Sequence, residues 1–330
     1  MTNILVPNYQ YLSSGEKSIL YTISLLPERM YSPKDIYKVF DLSNKTEEGI
    51  KFFDTLHDLT KKGWLSFSKG MYQLTEVKKK LLYSFRRPDQ HYFKSLAEKV
   101  TAFFSKDNIS AQIPACVVEN PEQVAENILK WNLRPTKQIA VLAQNFSNYW
   151  KRKKVSYLAL KYSKMAVDTQ VQVDGSDDDL CSYLSQRASL LFSMKKYKEA
   201  VLDAAECLDL CGDNADTRKQ YFSKQLSLSI LSASYEKLGN YESSLNYAEK
   251  ALQLGKKHKL SANLQNWLSY YNAGISYFQK SDFSKAWFHL VKAYAEYCDE
   301  NNKKPAFFSI LNFRRNFYEF RYRVSRVIGF

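Results

Sequence analysis

Four stretches in the second half of the chain share one spacing of small and large residues, and that spacing limits the fold more than any other feature. They are "FSNYWKRKKVSYLALKYSKMAV" (146–167), "ASLLFSMKKYKEAVLDAAECLDL" (188–210), "SASYEKLGNYESSLNYAEKALQL" (232–254) and "GISYFQKSDFSKAWFHLVKAYAE" (274–296). In each, a small residue (Ser147, Ala188, Ser232, Gly274) is followed three positions on by a large one (Trp150, Leu191, Tyr235, Tyr277). Nine residues later stands another small residue (Ala159, Ala200, Ser244, Ala286), and seven beyond it a third (Ala166, Cys207, Ala251, Ala293). Self-similarity at a fixed period is the sequence signature of stacked repeats.

The pattern resembles the tetratricopeptide repeat, whose small residues let paired helices approach closely while large ones fill the gaps between pairs. "YEKLGNYESSLNYAEKAL" carries the likeness best. Measured at Ala159, Ala200, Ser244 and Ala286, the period is 41, 44 and 42 residues, against about 34 in the usual repeat. The excess implies longer helices or loops, as at "GDNADTRKQ" (212–220), and "QVDGSDDD" (172–179) reads as a solvated acidic loop. Composition agrees with a mostly α fold: 45% apolar and 15% aromatic residues mark an ordered chain, and 10 Gly with 8 Pro in 330 residues leave little for strands and turns.

The first 88 residues read differently. "GEKSILYTISLLPERM" (15–30) places Ile19, Ile23, Leu25 and Leu26 at helical spacing before Pro27, and "SPKDIYKVF" (32–40) offers Ser32 as N-cap with Pro33 at the first helical position. A third helix over 46–62 is expected to bury Ile50, Phe53, Leu56 and Leu59 and to close at Gly63. "WLSF" and "MYQL" then form two short strands around Ser68-Lys69-Gly70. Helix, helix, helix and hairpin is the order of a winged helix. DNA reading by its third helix is disfavoured: Lys51, Lys61 and Lys62 face Glu47, Glu48, Asp54 and Asp58, a net charge of −1.

Together, "SILYTISLLPERMYSPKDIYKVF", "FFDTLHDLTKKGWLSF" and "YQLTEVKKKLL" ahead of the repeats resemble the C-terminal half of STAND-class signalling NTPases related to NB-ARC proteins. In that family the winged helix packs on a nucleotide-binding domain and the repeats sense a ligand or partner. This chain has no G-x-x-x-x-G-K-[S/T] phosphate loop. Thr75 stands where the family tends to carry a nucleotide-approaching histidine. The organisation expected is a winged-helix domain (1–88), a helical linker or degenerate repeat (89–135), tetratricopeptide-like repeats of about four helix pairs (136–297) and a basic, aromatic capping helix (298–330).

No catalytic arrangement stands out. His57, His91, His258 and His289 fall on separate predicted helices, and Asp203 and Glu206 read as a solvated helix face. Of the five Cys, Cys207 and Cys211 share a helix face without a second pair or a His to complete a metal site, so buried reduced thiols are expected and no metal or other cofactor. No leader-like segment opens the chain and no apolar run approaches a membrane span, so a cytoplasmic location is expected.

The expectation is a non-enzymatic sensor or scaffold binding a protein or peptide in the groove of the array. Its lining would comprise Gln144, Asn148, Lys151 and Arg152, then Ser185, Ser189 and Phe192, then Ser229, Ala233 and Glu236, then Tyr271, Ile275 and Phe278. An NTPase or effector domain, on this chain or another, is a further expected partner. The alternative is a DNA-binding regulator whose winged helix is controlled by the array. The formal charge of +14 permits a polyanion, with Lys78, Lys79, Lys80, Arg314, Arg315, Arg321 and Arg323 as contacts.

Overall fold

The computed structural model describes residues 8–43, 45–84, 91–105, 113–131, 135–173, 176–212, 217–257 and 266–300. They divide into two compact units, Met1–Tyr149 and Trp150–Phe330.

In the first unit, α1 (Ser14–Ser24) opens on a capping box: Ser13 Oγ accepts from the Glu16 N–H, and Glu16 accepts from the Ser13 N–H. The helix α2 (Pro33–Val39) starts on a Ser32 cap with proline at its first position, and α3 (Glu47–Lys61) on a Thr46 cap. Gly63, at φ +74°, turns the chain out of α3. Strands β1 (Ser66–Ser68) and β2 (Met71–Gln73) pair antiparallel across Lys69-Gly70, both at positive φ as a tight hairpin requires. Tyr31 and Tyr72 exchange backbone hydrogen bonds of 2.7 and 2.8 Å, which ties the segment before α2 to the hairpin.

The buried residues of α3 are Gly49, Phe52, Leu56 and Leu59. Phe52, not Phe53, packs against Tyr37 and Phe40, so the expected stripe is rotated at its N-terminal end. Ile50 is 56% exposed and Phe53 40%, and His57 stacks on Phe53 and meets Phe67 edge-on. All three lysines of this region are engaged: Lys51 pairs with Glu47, Lys61 with Asp58, and Lys62 with the buried carboxylate of Glu16 at 2.6 Å.

The hairpin leads into α4 (Glu76–Ser84), whose first N–H is accepted by Glu28. Then come α5 (His91–Phe104), α6 (Ala115–Glu119), α7 (Pro121–Trp131) and α8 (Lys137–Arg152). The helix α5 packs on α1 and on α7, so the segment 91–131 joins the N-terminal helices instead of standing apart.

In the second unit, α9 (Ser156–Gln172), α10 (Asp177–Ser193), α11 (Tyr197–Cys211), α12 (Arg218–Lys237), α13 (Tyr241–Lys257), α14 (Asn266–Gln279) and α15 (Phe283–Glu300) are stacked in sequence order. The turns repeat with the sequence. Lys154, Lys195, Gly239 and Ser281 all take positive φ, at spacings of 41, 44 and 42 residues. At each turn the next residue donates its N–H back to the large residue of the pattern: Val155 to Trp150, Lys196 to Leu191, Asn240 to Tyr235, Asp282 to Tyr277. The small positions are buried, with Ala159, Ala166, Ala200, Cys207, Ser244, Ala251 and Ala293 all at 0% exposure. Each helix pair is therefore longer than the roughly 34 residues of the usual tetratricopeptide repeat.

Two sequence expectations change here. Asp177–Asp179 form the first turn of α10 rather than a loop, where carboxylates oppose the helix dipole favourably. Asp203 is buried, its carboxylate held by two 2.7 Å bonds from Arg187, so it is no solvated face.

Candidate functional site

Among the described residues, α10 packs on α12 and α12 on α14, so the first helices of successive pairs form one layer while α11, α13 and α15 lie behind it. The anticipated groove residues divide by depth. Ser185, Phe192, Ser229 and Ala233 are buried, as is Gln144 of α8 in the first unit, and these hold helices together. Asn148, Ser189, Glu236, Tyr271 and Ile275 are half-buried, and Lys151, Arg152 and Phe278 are exposed. Lys151 Nζ lies 3.4 Å from Ser189 Oγ. Its side chain reaches solvent, yet the protein crowding it excludes enough water to hold its pKa below the ordinary lysine value.

Behind that face runs a polar interior that the residue pattern did not reveal. Ser232 Oγ donates to the Ser244 carbonyl at 2.8 Å, and the Ser244 and Ser276 hydroxyls meet at 2.7 Å. Gln225 donates to Ser269, and Asn272 donates to the Ser229 carbonyl at 3.2 Å. Hydroxyls thus join three successive helices where apolar contact alone would permit slippage.

The anticipated polyanion contacts scatter. Lys79 is buried, donating to the Leu26 carbonyl at 2.6 Å, so it belongs to the packing of α4 and not to a contact surface. Lys78 is half-buried and Lys80 exposed. Arg314, Arg315, Arg321 and Arg323 lie outside the described residues.

A second constellation lies between α10 and α11. The thiols of Cys181, Cys207 and Cys211 are free, buried, and within 4.8 Å of one another. Spacing along the chain had joined only the last two; Cys181 arrives from the preceding helix, 26 residues from Cys207. Cys207 Sγ faces the Cys181 carbonyl at 3.3 Å. The thiols of Cys181 and Cys207, followed by the Lys224 ammonium, hold the Cys211 thiol well below its ordinary pKa despite burial. Behind the cluster, α11, α12 and α13 enclose a cleft of about 640 Å³ lined by residues that include Asp209, Gly212 and Lys224.

Residues 226–258 match the tetratricopeptide repeat family. The matched stretch is the second half of α12, the Gly239 turn and α13. No curated protein matches the chain. Among solved structures, it is similar to BtubC of P. vanneervenii at 14% identity and TM-score 0.49, over 69% of this chain and 88% of that one. It is similar to a Rap protein complexed with competence and sporulation factor at 14% identity and TM-score 0.45, covering 81% and 66%. A third similarity, at 14% identity and TM-score 0.28, is to a signal-transduction ATPase with numerous domains and a tetratricopeptide sensor from Pyrococcus horikoshii, covering 89% and 52%. No helix of the described residues is long and apolar enough to cross a membrane.

Proposed function

We propose that this chain is a non-enzymatic sensor or scaffold that binds a peptide or extended protein segment along the first-helix face of its array, in signalling or regulation. One observation carries the reading. Ser189, Glu236, Tyr271, Ile275 and Phe278 retain solvent access on α10, α12 and α14, which pack in succession, and Lys151 at the end of α8 reaches Ser189. Hydroxyl, carboxylate, ammonium and aromatic groups in one row suit an extended ligand, which gains hydrogen bonds without deep desolvation. The polar ladder behind the row supports the same reading, because it keeps the face from yielding when a ligand docks.

The first 88 residues fit a winged helix serving as a packing domain. The three capped helices and the Lys69-Gly70 hairpin support that reading. The exposed side of α3 carries Ile50, Phe53 and His57, with its lysines ion-paired, which suits a protein neighbour better than phosphate.

Selection of a peptide from a displayed library against the full chain, followed by affinity measurement, tests the proposal. K151A and F278A are expected to weaken a selected peptide by about fivefold or more each. L202A, at a 70% exposed site on α11, is expected to leave affinity unchanged. Loss in L202A with K151A and F278A unaffected would place binding elsewhere and sink the reading.

A further inference from the structure

We propose that Cys181, Cys207 and Cys211 form a binding site for one thiophilic divalent cation of the zinc class. Three sulfurs within 4.8 Å of one another bracket a single point. A Zn–S bond of about 2.3 Å requires sulfurs roughly 3.8–4.0 Å apart, so closing the site needs side-chain movement of about an ångström. A divalent ion suits three thiolates better than a monovalent one, because less net charge stays buried.

Packing alone does not ask for these residues. At the position of Cys207 the other pairs carry Ala166, Ala251 and Ala293, all fully buried, so alanine satisfies the close helix approach. The surroundings add a polar partner. Ser227 is fully buried, and its hydroxyl has no oxygen or nitrogen to bond. It lies against the Cys207 sulfur, where it would donate to a thiolate and orient it.

The frame is fixed from both sides. Asp178, one turn before Cys181, accepts from Thr217 Oγ1 and Gln220 Nε2, which anchors the start of α12 to α10 beside the cluster. Lys224 donates to the Gly212 carbonyl, adjacent to Cys211. The cleft is lined by the same Gly212 and Lys224, next to Cys211, which at 4% is the one thiol of the three with measurable exposure.

The test uses the full chain carrying C116A and C298A, whose only thiols are the three of the cluster. After reduction and removal of chelator without oxygen, it is titrated with cadmium and then zinc. Thiolate-to-cadmium absorption in the ultraviolet and the thermal midpoint are followed. The expected result is one cadmium per chain, a raised midpoint, and protection of all three thiols from alkylation counted by mass spectrometry. C207A, C181A and C211A on that background are each expected to weaken cadmium binding by more than about 100-fold. C207A places the residue of the other pairs at this position, so it keeps the fold, which circular dichroism checks. Sub-stoichiometric absorption, unprotected thiols, or binding unchanged in C207A would overturn the site and leave three packed thiols.

Discussion

Alanine at position 274 offers the sharpest check on how closely the last helix pair approaches. A Cβ built on Gly274 would lie 2.7 Å from Leu290 Cγ, 2.8 Å from its Cδ2 and 3.2 Å from its backbone nitrogen. Carbon pairs rest at roughly 3.5–4.0 Å, so Leu290 must retreat by most of an ångström. Cγ is not the free end of that side chain, and the backbone nitrogen moves only with α15. Overpacking of this kind costs about 1–3 kcal/mol. Against it stands the gain of alanine over glycine inside a helix, about 1 kcal/mol. The balance is a loss of roughly 1 kcal/mol. Gly15 supplies the control: it lies in the first turn of α1 with nothing within 4 Å of its Cβ position. G15A should therefore stabilise by about 0.4–1 kcal/mol. Thermal and urea unfolding by circular dichroism would show the two identical substitutions moving stability in opposite directions. Equal stabilisation by both would refute the close packing of α14 on α15.

Three further outcomes follow from named contacts. D203N leaves Arg187 buried beside a neutral amide, and should cost several kcal/mol, of the order seen for broken buried pairs; a D203L/R187L chain should recover much of the loss, and equal instability of both would mean the pair is not coupled. Tyr277, half-buried and donating to Glu249 at 2.9 Å, has its pKa pushed up to about 12, chiefly by burial and then by that carboxylate. The unfolded phenol ionises near pH 10 and the folded one near 12, so the stability held by the neutral phenol is complete below 10 and falls between 10 and 12. Y277F should lose less stability across that window, and matching losses in both proteins would refute the assignment. Titration of random duplex DNA at two salt concentrations should give no saturable, salt-steep binding, because the lysines of α3 are paired and Lys79 is buried. Saturable, salt-steep binding would favour the DNA-binding alternative instead.

The array was legible because its constraint is local and periodic. Small residues at Ala159, Ala200, Ser244 and Ala286 mark the helix contacts, and the period they give recurs in the positive-φ turn residues. Capping signals at Ser32 and the Lys69-Gly70 turn were equally readable, since a cap or tight turn is settled within a few residues. Phe52 against Phe53 shows the limit: a short helix with apolar residues at adjacent positions leaves its inward face to tertiary packing. Asp203 and Cys181 were invisible for a related reason. Their partners, Arg187 and the Cys207–Cys211 face, come from the other helix of the pair, and pattern along one helix carries no information about what faces it. Depth within the groove was also hidden, because Ser185 and Ser189 differ only by where the neighbouring helix lands.

Hydrogen-exchange mass spectrometry of the full chain, with and without a selected peptide, measures the binding face directly. Added protection is expected in α10, α12 and α14, with α11 and α13 little changed. Protection confined to α11 and α13, or to α3, would contradict it.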